Sequence, residues 1–332
     1  MTEMTAHELL SSALRAHIET VRKTMARVLS TTPGVRRGGP AKEANEANDA
    51  KEAPAEDDDA EEAVHDFRVG MRRLRTALRT ARKLYGRKRL RAIGDGLKRY
   101  GDVTSALRDE EVLRVTLAKL QVTDDVRATV TTWLARRAKQ ERVRRGDVVR
   151  LLRSGAVPAQ VHKDGVAELP SLEECLARLE KRLDRPKRGN QKAVDLGHRA
   201  LADAKADIDA MGQVDAGDVT GMHTLRIRFK RLRYTAELFV PALAEEAEAT
   251  AKAASRLQSK LGDLHDLDQA LVRMARARGL SLDAREAVLE ALQAARTAMA
   301  QKCVKELAAW READAQRTIE RDRATKSYTG PQ

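Results

Sequence analysis

A twelve-residue stretch that occurs twice constrains this chain more than any other feature. Residues 64–75 read Val-His-Asp-Phe-Arg-Val-Gly-Met-Arg-Arg-Leu-Arg, and residues 222–233 read Met-His-Thr-Leu-Arg-Ile-Arg-Phe-Lys-Arg-Leu-Arg. Aligned without a gap, His65 meets His223, Arg68 meets Arg226, Arg72 meets Lys230, and Arg73-Leu74-Arg75 meets Arg231-Leu232-Arg233. The apolar positions 67, 69, 71 and 74 each meet an apolar residue. Agreement of this extent points to an internal duplication, and hence to two similar halves.

At roughly 100° per residue, His65, Arg68, Arg72, Arg75, Arg79 and Lys83 fall within about 80° of one helix face. Phe67, Met71, Leu74, Leu78, Ala81 and Tyr85 fall within a second arc of similar width. One helix therefore carries a packing stripe and a separate cationic stripe. The second copy repeats the arrangement, with His223, Arg226, Lys230 and Arg233 on one side and Leu225, Phe229, Leu232 and Ala236 on the other. Glu237 stands where Arg79 stood.

Composition supports the helical reading. Aromatic residues make up 3% of the 332 residues and there are only eight prolines, while Ala, Leu, Arg, Glu and Lys abound. That is the usage of an all-α protein, and the duplication favours two similar halves in one body. The net charge of +13 is unevenly spread: residues 42–62 hold ten acids and two bases, a net −8, so the rest carries +21. Such a surplus suits a polyanionic partner. Cys175 and Cys303 are far apart and form no CxxC, which argues for reduced thiols rather than disulfides or a zinc knuckle. With no signal peptide and no apolar run near the ~20 residues of a membrane span, the expectation is a cytoplasmic protein with no membrane partner.

The spacing predicts a helix over 4–30, stopped by Thr32-Pro33-Gly34. Residues 31–61 lack periodicity and read as a disordered acidic insertion, either a solvated linker or a tethered competitor for the basic stripe. Helices follow near 62–85, 88–101, 108–120 and 124–152, with Asp109 and Asp124 or Asp125 as N-caps. Residues 153–170 connect the halves, so that 1–152 and 171–324 form the two parts of one domain. The second half predicts helices near 171–184, 189–211, 219–240, 243–262, 266–277 and 281–322, with breaks at Pro186–Asn190 and at Pro241. Tyr100-Gly101-Asp102-Val103 followed by Leu107-Arg108-Asp109 parallels Leu261-Gly262-Asp263-Leu264-His265-Asp266, with a short insertion in the first half. Each is expected to be a turn that starts a new helix, Asp266 being the N-cap in the second.

Between His65 and Arg91 lie eleven Lys or Arg and one acid, Asp66. Like charges at i,i+4 cost a few tenths of a kcal/mol each, and Arg68–Arg72, Arg75–Arg79 and Arg79–Lys83 all accept that cost. An anionic ligand accounts for it better than a solvated face does; the run from Arg136 to Arg145 reads as a solvated face. Neither His65 nor His223 has a second ligand at metal spacing on its own face, so each is expected to be a hydrogen-bond donor whose pKa rises when an anion binds. His223 with His265-Asp266 resembles a metal phosphohydrolase only faintly. There is no phosphate-cradling glycine loop, no GxSxG and no nucleophile beside a base, so no enzyme activity, cofactor or metal is expected.

The paired His-x-x-Arg-[Val/Ile]-x-x-[Arg/Lys]-Arg-Leu-Arg stretches, the Leu-Arg-Asp and Leu-Gly-Asp-Leu-His-Asp segments and Arg233-Tyr234-x-x-Glu237-Leu238-Phe239 resemble the conserved histidine α-helical domain, or CHAD, family. The resemblance spans nearly the whole chain outside 31–61. It implies two pseudo-symmetric helical bundles whose facing long helices form a basic channel, non-catalytic binding of inorganic polyphosphate and, in some members, targeting to polyphosphate granules. The positions that match are His65, Arg68, Arg72, Arg73 and Arg75, with His223, Arg226, Lys230, Arg231 and Arg233; Arg79 and Lys83 extend the first stripe. Arg82, Lys98, Arg108, Lys260 and His265 are further candidates. The resemblance also fits Glu237, as the partner of a neighbouring cation.

Polyphosphate offers evenly spaced charge and no bases, so cationic stripes suit it without aromatic platforms. Proteins that hold single-stranded nucleic acid stack bases on aromatics. Here Phe67 and Phe229 lie on the packing face. Duplex nucleic acid, bound through phosphate alone, is the second reading. A metal-dependent hydrolase of phosphate or polyphosphate is the third.

Overall fold

Thr5 accepts a hydrogen bond from the Glu8 backbone, and Glu8 Oε2 accepts one from Thr5 N at 2.8 Å, closing a capping box that starts α1 (Ala6–Ser30). The computed structural model describes residues 4–31, 53–154, 170–187 and 190–328. Among these, every regular element is a helix, beside one isolated bridge between Thr5 and Lys192. The all-α class is what the periodicity predicts.

The chain divides into two compact units. The first comprises residues up to Val115, Val130–Ala200 and Leu238–Leu243. It holds α1, α2 (Ala53–Tyr85), α3 (Arg87–Val103), most of α4 (Ser105–Ala118) and of α5 (Asp124–Ser154), and α6 (Leu172–Leu183). Its core joins Leu10, Leu14, Ile18 and Val21 of α1 to Phe67, Met71, Leu74, Leu78 and Tyr85 of α2, all of them 2% exposed or less. This is the packing stripe of the first copy, and each large side chain so buried contributes about 1.5–3 kcal/mol. The two helices approach closely at Gly70, where a Cβ would already touch Val21 at 3.4 Å. Beyond Tyr85, Gly86 takes φ +106°, which a side chain would resist, and the chain turns into α3.

The second unit comprises Thr116–Thr129, Leu201–Glu237 and Ala244 onward. Most of α7 (Ala193–Asp209) lies in it, with the two ends of α8 (Val219–Ala275) and α9 (Leu282–Tyr328). Leu225, Phe229, Leu232 and Ala236 are fully buried, as the second packing stripe requires, and Phe229 meets Trp310 edge-on at 4.8 Å. Arg296 is buried too, held by Asp268 at 3.0 Å and the carbonyl of Ala216 at 2.6 Å.

Four expectations need correction. The helix expected from 62 begins at Ala53, so residues 53–61 are helical rather than disordered; residues 32–52 lie outside the described ones. Ala60, Ala63 and Val64 are buried, and Arg27 of α1 gathers Asp59 at 3.8 Å, Glu62 at 2.5 Å and Asp66 at 3.0 Å. Glu61 pairs with Arg114. Asp59, Glu61, Glu62 and Asp66 are therefore bound by partners distant in sequence. Second, α8 runs unbroken through Gly262-Asp263, so that no turn exists there and Asp266 caps nothing. Leu261 and Leu264, each 1% exposed, keep that stretch packed at a cost for glycine of only about 1 kcal/mol. In the first half the break does occur, at Thr104, within the insertion; α4 starts at Ser105, which leaves Asp109 inside the helix. Third, the break expected at Pro241 is present but falls three residues later, at Ala244 (φ 41°), where the two helices that make up α8 meet. Fourth, the run 136–145 is more than a solvated face. Arg137 and Arg144 hold Glu110 at 2.6 and 3.2 Å, and Arg145, with a side chain 7% exposed, holds Glu141 at 3.6 Å. Asp124 and Asp125 occupy the first turn of α5, where a carboxylate favours the positive end of the helix. Of the connection 153–170, residues 155–169 lie outside the described ones, as do residues 188 and 189 of the expected break.

Candidate functional site

In α2 the packing stripe fixes the rotation of the helix, and that places the cations. His65, Arg68, Arg72 and Arg75 are half-buried along one side, and Arg79 and Lys83 further on are exposed. Arg68 is anchored: one terminal nitrogen donates to the carbonyl of Gly101 at 2.9 Å, to Thr104 Oγ1 at 3.0 Å and to Ser105 Oγ at 3.1 Å. Burial works against its charge, as do Arg72 and Arg108. The Nε atoms of both Arg68 and Arg72 are shut from solvent without a hydrogen-bond partner in the protein. His65 is kept below its usual pKa, first by burial and then by Arg108 and Arg72. It is therefore neutral at pH 7, with a ring free to gain a proton when negative charge arrives.

In α8, His223, Arg226, Lys230, Arg231 and Arg233 are all half-buried. Arg226 passes over Gly262, whose Cβ, if present, would stand 4.0 Å from the guanidinium Nε. Thus the arginine three residues after each histidine lies against the glycine of a Gly-Asp pair. His223 Nδ1 lies 3.1 Å from His265 Nδ1, and the rings are 4.6 Å apart. Burial first and Arg226 next depress both, with His265 pushed down to about 4. One neutral ring donates and the other accepts. Arg108, which aligns with His265, acts on His65 through its charge, whereas His265 shares a hydrogen bond with His223.

Other expected cations are already engaged. Arg231 pairs with Asp207 of α7, and Arg233 Nε donates to Glu237 at 2.7 Å, so Glu237 does hold a neighbouring cation. Arg108 pairs with Glu111, Lys260 with Glu306, and Lys98 lies 4.0 Å from Asp102. Arg73 and Arg82 are half-buried with Nε shielded from solvent. The sequence reading had no means of finding Asp207 or Glu306, which lie 24 and 46 residues from their partners. The proximity of His223 and His265 did have a signal, the matching order of segments in the two halves. Among the described residues no group of three or more His, Cys, Asp or Glu is placed to hold a metal. Cys175 and Cys303 are free and buried, and burial pushes the Cys303 thiol up to about 11. No helix among the described residues is long and apolar enough to cross a membrane.

No curated protein matches the chain. Several solved structures resemble it in fold. The crystal structure of the CHAD domain from the plant Ricinus communis aligns over 92% of this chain and 93% of that one, with a TM-score of 0.66 and 20% identity. PptA from Streptomyces chartreusis aligns over 94% and 99%, with a TM-score of 0.53 and 14% identity. The model of the CHAD domain matches residues 41–275, well over half of the chain, which therefore belongs to the CHAD-domain family.

Proposed function

We propose that the protein binds inorganic polyphosphate without catalysis, through the cationic stripes of α2 and α8, as a cytoplasmic protein that also joins polyphosphate granules. The observation that carries this reading is Arg72. It sits in the middle of the first stripe beside Arg68, Arg108 and a neutral His65, with its Nε lacking any acceptor from the protein. Holding cations together in partial shelter from water is costly unless an anion compensates. A polymer of phosphates offers acceptors along the whole stripe, and it needs no aromatic platform. His65, His223 and His265 then add hydrogen bonds that strengthen as the anion raises their pKa.

The test is competition between long-chain polyphosphate, duplex DNA and duplex RNA at matched phosphate concentration and physiological salt. Polyphosphate is expected to displace both nucleic acids. Displacement of polyphosphate by either of them would overturn the reading in favour of phosphate-backbone recognition of a duplex. Turnover of the polymer during the same incubation would contradict the absence of catalysis.

A further inference from the structure

Outside the two stripes, α3 and α6 line a cavity of about 420 Å³, open to solvent, in the first unit. Arg89, Ala92, Ile93 and Gly96 line it from α3 at i, i+3, i+4 and i+7, one continuous helix face. Cys175, Arg178, Lys181, Arg182 and Arg185 line it from α6 and the residues just beyond. The floor is apolar and close-built: a Cβ on Gly96 would stand 3.2 Å from Cys175 Sγ, so only glycine lets the helices meet there without displacing the thiol. Pro170 completes the floor, held by the Tyr100 hydroxyl, which donates to its carbonyl at 2.7 Å.

The rim is cationic throughout, with five Lys or Arg and no acid. Of the acids of α6, Glu173 and Glu180 are turned to Arg22 and neighbouring Asp184 to Arg15, while Glu174, whose charge reaches Cys175, is engaged in capping the helix, accepting from Ser171 N at 2.9 Å. Among the described residues Arg89, Arg178, Lys181 and Arg185 have no ion-pair partner. Arg182 is fixed by its Nε, which donates to the carbonyl of Tyr85 at 2.6 Å. A helix C-terminus welcomes one or two cations through its dipole. It does not account for Arg178–Arg182 and Lys181–Arg185 at like-charged i,i+4 spacing, nor for Arg89 arriving from another helix.

We propose that this cavity binds an organic phosphate of nucleotide size. A flat, weakly polar group rests on the floor of Ile93, Gly96, Pro170 and Cys175, and a di- or triphosphate lies against the rim. The volume is within the range of small-molecule sites, and an apolar floor with a few convergent polar groups is their usual construction. An inorganic polyphosphate would gain nothing from such a floor, and guanidinium groups such as that of Arg89 also stack on nucleobases. The site uses no residue of the polyphosphate reading and stands or falls without it.

Calorimetric titration of the full chain carrying Arg72→Glu and Lys230→Glu, so that tripolyphosphate does not report on the stripes, with ATP, tripolyphosphate and adenosine at 150 mM salt tests this. ATP is expected to bind at least ten-fold more tightly than either of the others. Arg178→Glu with Lys181→Glu should weaken ATP ten-fold or more; both side chains are exposed and unpaired, so the melting temperature should hold. Ala92→Trp, which fills the exposed mouth of the floor without changing charge, should weaken it several-fold. Equal affinities for ATP and tripolyphosphate would reduce the cavity to a charged patch and overturn the proposal. So would ATP binding that survives both variants, or ATP binding that the native chain shows and the Arg72→Glu, Lys230→Glu background lacks, which would place the ligand on the stripes.

Discussion

The Nδ1 atoms of His223 and His265 stand 3.1 Å apart although 42 residues separate them, because α8 is two helices that meet at a kink at Ala244 (φ 41°), one histidine on each. Their shared hydrogen bond needs one proton between the two atoms. Burial, Arg226 and Lys230 oppose a second charge there, and Asp268 near His223 only partly offsets them.

This pair sets a pH dependence. Both folded-state pKa values are below the ordinary 6.5, that of His265 at about 4. Between those values the unfolded chain takes up protons that the folded pair refuses. The stability contributed is therefore complete above pH 6.5 and is lost as pH falls towards 4. His265→Gln should flatten the decline of melting temperature between pH 7 and pH 4.5; an unaltered slope would show that other groups titrate. Bound polyphosphate reverses the electrostatics, so binding at pH 6.5 should take up protons, measurable by calorimetry in buffers of different ionisation enthalpy.

Arg72→Glu combined with Lys230→Glu should weaken polyphosphate binding by more than ten-fold, about 1.4 kcal/mol, with helicity unchanged. Each lies roughly 120° from its packing stripe, so the buried residues on either helix are undisturbed. Native affinity in a natively helical variant would remove both residues from the site.

Arg68→Ala should cost stability rather than binding alone. It deletes the charged donor that gathers Gly101, Thr104 and Ser105 at the α3–α4 junction. The Gly101 carbonyl still accepts from Thr104 at 2.8 Å, so the loss should be about 1.5–3 kcal/mol and no more. Urea unfolding of the variant measures it; a change below about 0.5 kcal/mol would mean that the junction holds without the arginine.

Deleting residues 40–52 should leave polyphosphate affinity unchanged at low salt. The acids nearest the stripe, Asp59, Glu61 and Glu62, are taken up by Arg27 and Arg114 and so do not compete for the stripe. A gain in affinity that fades with added salt would instead identify the upstream acids as competitors.

What the sequence determined by itself is what a helix repeats locally. Phe67, Met71, Leu74 and Leu78, and Leu225, Phe229 and Leu232, are buried as their spacing requires, because a 3.6-residue period converts order along the chain directly into a face. The all-α class and the sides on which the cations emerge follow from the same rule. Helix ends were less legible. Gly262-Asp263 is a weak break that packing of Leu261 and Leu264 overrides, and Ala53–Glu61 is a polar segment that is nonetheless helical. Tertiary structure alone decided which charges are spent. Arg231 has its partner 24 residues away, and Arg68 ties a helix junction through a terminal nitrogen while its Nε, like that of Arg72, has no acceptor. It also decided that one face of α3 and one face of α6 meet around a cavity. Those outcomes depend on side chains brought together from distant parts of the chain, and Coulomb and hydrogen-bond energies act through distances of a few ångströms that periodicity does not encode.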